Sequence, residues 1–285
     1  MLFVTRAVLA VVCYGAMSPG EAKDLETTHL FGFTLGTDVN DVGEKEAELE
    51  STGRFAKRNG SYTALATSAG IKFIPFRDFS IEPGVGVAYH GISGVSGLDD
   101  RRQWAFDTVS LEMRYRLLNR EHAPFGLTLG FDPHWGRVDD IGGEGVDRFG
   151  ADLLVIADKE LVSNRVFGAF NLLYQPEASR LRTTGVWERQ STLGVSGALN
   201  AQVAPLLLIG GEVRYLRSYD DLGLGAFSGH ALFIGPTFYW RPSECCWMAA
   251  AWSVQVAGRA VGDPGSLDLT NFERQQAKLR FGYNF

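Results

Sequence analysis

Cysteine is nearly missing from this chain, with three in 285 residues. Cys13 falls in the first apolar stretch, and Cys245 and Cys246 are adjacent, so no disulfide framework can staple distant parts of the fold. The adjacent pair leaves two readings open, a strained disulfide in an oxidising compartment or two thiols. Basic excess is missing too: 27 Lys and Arg stand against 33 Asp and Glu, a net charge of -6, which removes the electrostatic footprint of a nucleic-acid partner. Although 45% of the residues are hydrophobic, no run after the first stretch approaches the ~18 apolar residues of a membrane helix. The sequence also lacks a nucleophile elbow, a phosphate-binding loop and a zinc-binding HExxH. Its five histidines, His29, His90, His122, His134 and His230, are scattered. His90 and Ser93, the nearest approach to a catalytic pair, are three apart and so fall on opposite faces of a strand. No enzymatic activity, metal or cofactor is expected.

Residues 1–22 have the layout of a secretory signal. Arg6 precedes an apolar stretch from Ala7 to Tyr14, and small residues lead to Ala22. Bulky Val12 before Cys13 argues against a lipoprotein site. Residues 23–43 then form an N-terminal segment expected in the periplasm. Within it LFGFTLG reads either as a short strand or as an apolar plug touching the lumen of a barrel built by the rest of the chain.

From residue 44 to 285 the dominant pattern has period two, the signature of strands with one oily and one wet face. Ala277, Leu279, Phe281, Tyr283 and Phe285 alternate with Lys278, Arg280 and Asn284. Val109, Leu111, Met113, Tyr115 and Leu117 alternate with Ser110, Glu112, Arg114 and Arg116. Such runs predict strands near 44–57, 61–75, 78–91, 104–118, 124–137, 149–162, 165–176, 186–202, 205–219, 228–241, 246–259 and 272–285. Most are about twice as long as the five or six residues usual in soluble sandwiches, and they suit a ~25 Å lipid-facing band crossed by tilted strands.

The connections carry a second signal. Those after the even strands are short, such as Phe76-Arg77 and Ala204-Pro205, while most of those after the odd strands are long and rich in Gly and Asp, the asymmetry of a membrane barrel. Aromatics form two expected belts. Tyr89, Trp104, Trp135, Phe149, Tyr174, Trp187 and Tyr219 lie near the long-loop ends of the strands, and Phe79, Tyr115, Phe125, Trp240, Trp247, Tyr283 and Phe285 near the short-turn ends. The reading is all-β, a transmembrane antiparallel up-and-down β-barrel of about twelve strands.

At its last strand the chain resembles bacterial outer-membrane β-barrel proteins, whose final strand commonly finishes on an aromatic residue after alternating hydrophobics. Leu279, Phe281, Tyr283 and Phe285 match that pattern. The resemblance implies location in the outer membrane, contact with its lipids and lipopolysaccharide, and recognition of these four residues by the barrel-assembly machinery during biogenesis.

The wet faces define the expected lumen. Glu46, Glu48, Glu50 and Arg54 share one face of the first strand, and Arg274, Lys278 and Arg280 share one face of the last. Because these two strands must meet to close a barrel, the opposite charges predict a ladder across the seam. Glu112 and Arg114, and Glu212 and Arg214, add inward charges of both signs. The acidic pairs Asp99-Asp100, Asp139-Asp140 and Asp220-Asp221 are expected in outer loops, as solvated groups or divalent-ion ligands. A twelve-stranded barrel is wider than the eight-stranded kind that side chains fill. The function expected is a passive or substrate-selective pore for small solutes. The alternatives are a closed structural or envelope-assembly barrel and, further off, a lipid hydrolase.

Overall fold

The computed structural model describes residues 27–285; the expected signal at 1–22 lies outside the described residues. Twelve strands succeed one another: β1 Lys45–Phe55, β2 Ser61–Phe76, β3 Phe79–Ser93, β4 Arg101–Leu118, β5 Gly126–Val138, β6 Gly145–Val162, β7 Val166–Leu181, β8 Trp187–Ala204, β9 Leu207–Tyr219, β10 Phe227–Trp240, β11 Cys246–Ala260 and β12 Gln275–Asn284. Each pairs antiparallel with its sequence neighbours, and β1 pairs with β12, so the sheet is a closed barrel. Closure leaves no edge strand with unpaired backbone groups, the condition for a sheet to sit in hydrocarbon.

The period-two reading holds face by face. Leu49, Val85, Leu129, Phe170, Ile209, Val213, Ile234, Trp252, Leu279 and Phe281 are large apolar side chains exposed on the outside of the barrel. Their strand neighbours Glu46, Arg114, Asp158, Glu212, Arg214 and Arg280 are buried within it. Exposed apolar surface of this extent has no place in water and suits a lipid environment.

Several expectations are corrected. β4 and β6 begin earlier than predicted and β7 runs on to Leu181, so stretches read as loop, including Arg101 to Gln103 and Gly145 to Arg148, are strand that continues outward. The loops after β3, β5 and β7 shrink to 94–100, 139–144 and 182–186, while 261–274 stays long. The asymmetry of connections is therefore weaker than the sequence suggested. The alternation in β4 also breaks. Val85 pairs with Val109 but Val87 with Phe106, so one extra β4 residue is accommodated. As a result even-numbered Trp104 and Phe106 and odd-numbered Val109 are all exposed, and Asp107 is buried. Trp247 leaves the expected belt for the interior, where it is buried against His29.

The seam ladder forms as expected. Glu50 lies opposite Arg280, and Thr52 opposite Lys278. The Glu50 carboxylate accepts from Arg280 Nε at 2.5 Å and pairs with Lys278 Nζ at 2.8 Å, while Glu48 lies 3.5 Å from Arg280. Replacing Glu50 with Ala leaves two cations facing one another in the lumen. The loss is expected at about 2 kcal/mol, from charged hydrogen bonds and an uncompensated partner. Urea unfolding in phospholipid vesicles measures it, and an unchanged midpoint would show that the ladder does not stabilise closure.

Candidate functional site

The N-terminal segment decides what the lumen is. The described part of 23–43, expected as a periplasmic segment, is packed inside the barrel, and of the two readings left open for LFGFTLG the structure has the plug, built of bends with no strand. Leu30 and Phe31 are fully buried in a cluster with Phe167, Leu208, Tyr239 and Trp247, each contributing about 1.5–3 kcal/mol by leaving water. The motif's glycines sit where the plug touches itself or the wall. A Cβ on Gly36 would collide with the Thr27 backbone, and one on Gly32 with Ala251.

Lacking a ladder, the plug takes its backbone hydrogen bonds from side chains of the wall. Phe33 and Thr34 donate to Glu212 at 2.9 and 3.1 Å. Leu35 donates to Asn171 Oδ1 at 2.7 Å, and Asn171 Nδ2 donates back to the Leu35 carbonyl at 2.9 Å. Thr37 donates to Asp158 from its amide at 2.9 Å and from its hydroxyl at 2.6 Å, and the Thr128 hydroxyl donates to the Thr37 carbonyl at 2.6 Å.

A compact ionic collar holds the start of the plug. His29 stacks on Trp247, with ring centroids 4.1 Å apart. Its Nε2 lies 3.4 Å from Glu46 and 3.3 Å from Glu48. An imidazole beside two carboxylates has the donor set of a metal site, but a cation is already present. Lys72 Nζ is 2.7 Å from Glu46 Oε1 and 3.0 Å from His29 Nε2, and Arg280 reaches His29 Nδ1 at 3.2 Å. Trp247 Nε1 donates to Glu46 at 2.9 Å. Burial lowers the His29 pKa; Glu48 and Glu46 oppose the shift while Lys72 reinforces it.

Beyond the plug lies a chamber of about 560 Å³ whose floor includes Phe33 and Leu35. Of the residues predicted for the lumen, Glu48, Glu50, Arg54, Glu112, Arg114, Arg214, Lys278 and Arg280 line it. Glu46 is buried in the collar and Glu212 is given over to the plug. Arg274 is exposed and precedes β12, and the inward position there is taken by buried Glu273 and Gln276. Both signs are present and they interleave, with Arg114 2.6 Å from Glu112, Lys278 2.8 Å from Glu50 and Arg280 3.5 Å from Glu48. Glu82 faces Glu112 across β3 and β4, and Asp132 faces Asp152 across β5 and β6, so carboxylates outnumber cations there, although Arg114 and Arg148 share that wall. Lys278, Arg280 and Arg214 lie across from it, the first two paired with Glu50 and Glu48, and the Arg214 guanidinium is 3.6 Å from the centre of the Phe33 ring.

Two loops fold in over the outer mouth. In 139–144, Asp140 turns to Arg54 and Arg148, and the Tyr62 hydroxyl donates to the Ile141 carbonyl at 3.0 Å. Burial works against the Asp140 carboxylate, but Arg148 and Arg54 outweigh it and hold its pKa below the usual range. In 261–274, Lys57 Nζ donates to the carbonyls of Thr270 and Phe272 at 3.1 and 2.9 Å, and Phe272 packs edge-on to Phe233. The acidic pairs thus serve loop closure: Asp100 accepts from the Gly94 amide at 2.7 Å and Asp139 from Ile141 at 3.0 Å. His90 is turned inward to the Asp140 carbonyl at 3.2 Å, away from exposed Ser93. The sulfurs of Cys245 and Cys246 are 3.7 Å apart, too far for an S–S bond.

A family model covers residues 23–285 of this chain, that of a family of unknown function, DUF6662. The chain belongs to this family. No curated protein sequence matches it. Among solved structures, the COG4313 outer membrane channel from Pseudomonas putida F1 is similar, with a TM-score of 0.60 at 14% identity over 87% of this chain and 98% of that one. The β domain of the Bordetella autotransporter BrkA is similar at a TM-score of 0.52 and 11% identity, over 86% and 100%. At such identities the likeness is one of fold: this DUF6662 chain has the architecture of outer-membrane β-barrels.

The plug generates a pH prediction. The folded-state pKa of His29 lies below its ordinary 6.5, so the docked plug binds fewer protons than the released one. Docking is then constant above about pH 6.5 and weakens as pH falls below it. Glu46, Glu48, Lys72, Arg280 and Trp247 all face the imidazole, and protonation adds a charge beside two existing cations. Amide exchange over residues 28–37, corrected for intrinsic rate, is expected to accelerate from pH 6.5 to 5. His29→Gln should abolish the pH dependence.

Proposed function

We propose that the protein is an outer-membrane pore for small solutes whose periplasmic end is closed by its own N-terminal segment. The observation that carries this reading is the division of the lumen: a charge-lined chamber on the outer side, and below it a plug attached by side-chain hydrogen bonds rather than by strand pairing. Wall carboxylates and amides released from the plug can turn to water, so its displacement costs far less than breaking a ladder. With charges of both signs interleaved around it, the chamber favours polar or zwitterionic solutes over ions of one sign.

Single-channel recording in planar bilayers tests this. The wild-type barrel is expected to show small, infrequent steps. A variant lacking residues 27–41, and the double variant Glu212→Ala/Asp158→Ala, should show larger and longer openings. Silence from folded barrels of all three would overturn the pore and favour a closed structural barrel, a reading that the filled periplasmic half also suits.

Assembly is a second part of the proposal. Leu279, Phe281 and Tyr283 project outward from β12 and Phe285 is exposed beside them, a strip we assign to recognition by the barrel-assembly machinery. Deleting Phe285, whose amide bonds the Lys45 carbonyl at 3.0 Å, should lower the heat-modifiable barrel recovered from outer membranes severalfold. Refolding in detergent should be little changed. Equal losses in both settings would assign Phe285 to barrel stability instead.

A further inference from the structure

The outer rim of β9 to β11 carries positive groups that neither the lumen nor the seam uses. Arg217 pairs across the sheet with His230, and His230 with Arg259. All three share the outward face: Tyr215, two residues from Arg217, and Ile234, four from His230, are exposed there, and Arg259 is itself exposed. Strand spacing sets the row at about 10 Å across. It lies within a few residues of the strand ends at Tyr219, Phe227 and Ala260, the ends remote from both barrel termini and so the outer ones.

Two guanidinium groups on one face about 10 Å apart repel, and local packing holds Arg217 and His230 in the row. The Arg217 guanidinium lies 4.7 Å from the centre of the Phe227 ring and 5.5 Å from that of Tyr219, which fixes the plane of its donor fork. Its buried Nε has no hydrogen-bond partner. His230 packs against Phe227 and Tyr215, with centroids 6.2 and 5.7 Å apart. Among the described residues neither Arg217 nor Arg259 is in an ion pair with a carboxylate. Asp263, which acts electrostatically on Arg259, is bonded to Arg58 and the Gly265 amide. Directly toward the membrane centre the same face is apolar, through Val213, Ile234, Val254 and Val256.

We propose that this row binds the phosphorylated headgroup of the outer-leaflet glycolipid, with Arg217 and Arg259 as the phosphate ligands, His230 as a donor between them, and the apolar strip below as the bed for its acyl chains. A fixed guanidinium matches phosphate with two parallel hydrogen bonds, and a basic cluster above an apolar surface is the geometry of anionic-lipid recognition. The proposal rests on placement in the outer membrane and is independent of whether the lumen conducts.

Native mass spectrometry of the detergent-solubilised full barrel tests it with three probes: diphosphoryl lipid A, the same glycolipid without phosphates, and phosphatidylglycerol. Diphosphoryl lipid A is expected to bind at least tenfold more tightly than either of the others. Arg217→Gln/Arg259→Gln should lose that preference, and Arg102→Gln, on β4 away from the row, should keep it. Equal binding of the phosphorylated and dephosphorylated glycolipid overturns the proposal without any variant being needed. Equal binding of phosphatidylglycerol reduces the row to general attraction for anions and also overturns it, as does a double variant that binds lipid A like the wild type.

Discussion

Every feature of this molecule depends on β1 closing onto β12. In hydrocarbon an unpaired strand edge leaves a row of backbone groups with neither protein nor water to bond, so the seam must form completely or the sheet has no stable place in a membrane. The backbone ladder from Glu46–Asn284 to Phe55–Gln275 supplies that pairing. The inward side chains reinforce the register, since Glu50 meets Arg280 and Lys278 only in this alignment. A slip of one residue in either strand would turn that strand's charge row toward lipid.

Closure with twelve strands creates the next problem. The ring is wider than its own side chains can fill, and an interior lined with carboxylates and guanidinium groups must be either hydrated or matched. The chain does both, at different depths. Near the termini the plug brings Leu30 and Phe31 to the apolar patch around Phe167 and Tyr239, and its backbone satisfies Glu212, Asn171 and Asp158. Farther out charges of both signs are left around a chamber, with Arg114 beside Glu112 and Arg280 beside Glu50. The wall is thus closed by a backbone seam, whereas the plug is joined to it through side-chain bonds.

The mouth and rim show charge used in two further ways. Asp140 between Arg54 and Arg148 draws a loop inward over the chamber. On the lipid side Arg217 is held by the rings of Phe227 and Tyr219 rather than neutralised by an acid.

The sequence alone carried the barrel, its twelve strands and the wet face of most of them, because the two-residue period of side chains is a local property and lipid and water select opposite faces. It also determined the Glu50–Arg280 seam, since only one strand can meet β1 from the other side. Only the tertiary structure decided the rest. The fate of LFGFTLG depended on wall residues far away in sequence, such as Asn171 and Glu212, and nothing local distinguishes a buried plug from a dangling segment. Arg274 left the lumen because the chain turns before Gln275, and Trp247 turned inward to His29 although its composition and position suited the membrane interface. The extra residue at Asp107 reversed the alternation in β4, where its buried side chain is matched by Arg148 at 3.1 Å. These outcomes depend on contacts between segments dozens to hundreds of residues apart, and such contacts exist only once the barrel has closed and fixed which side chains share its interior.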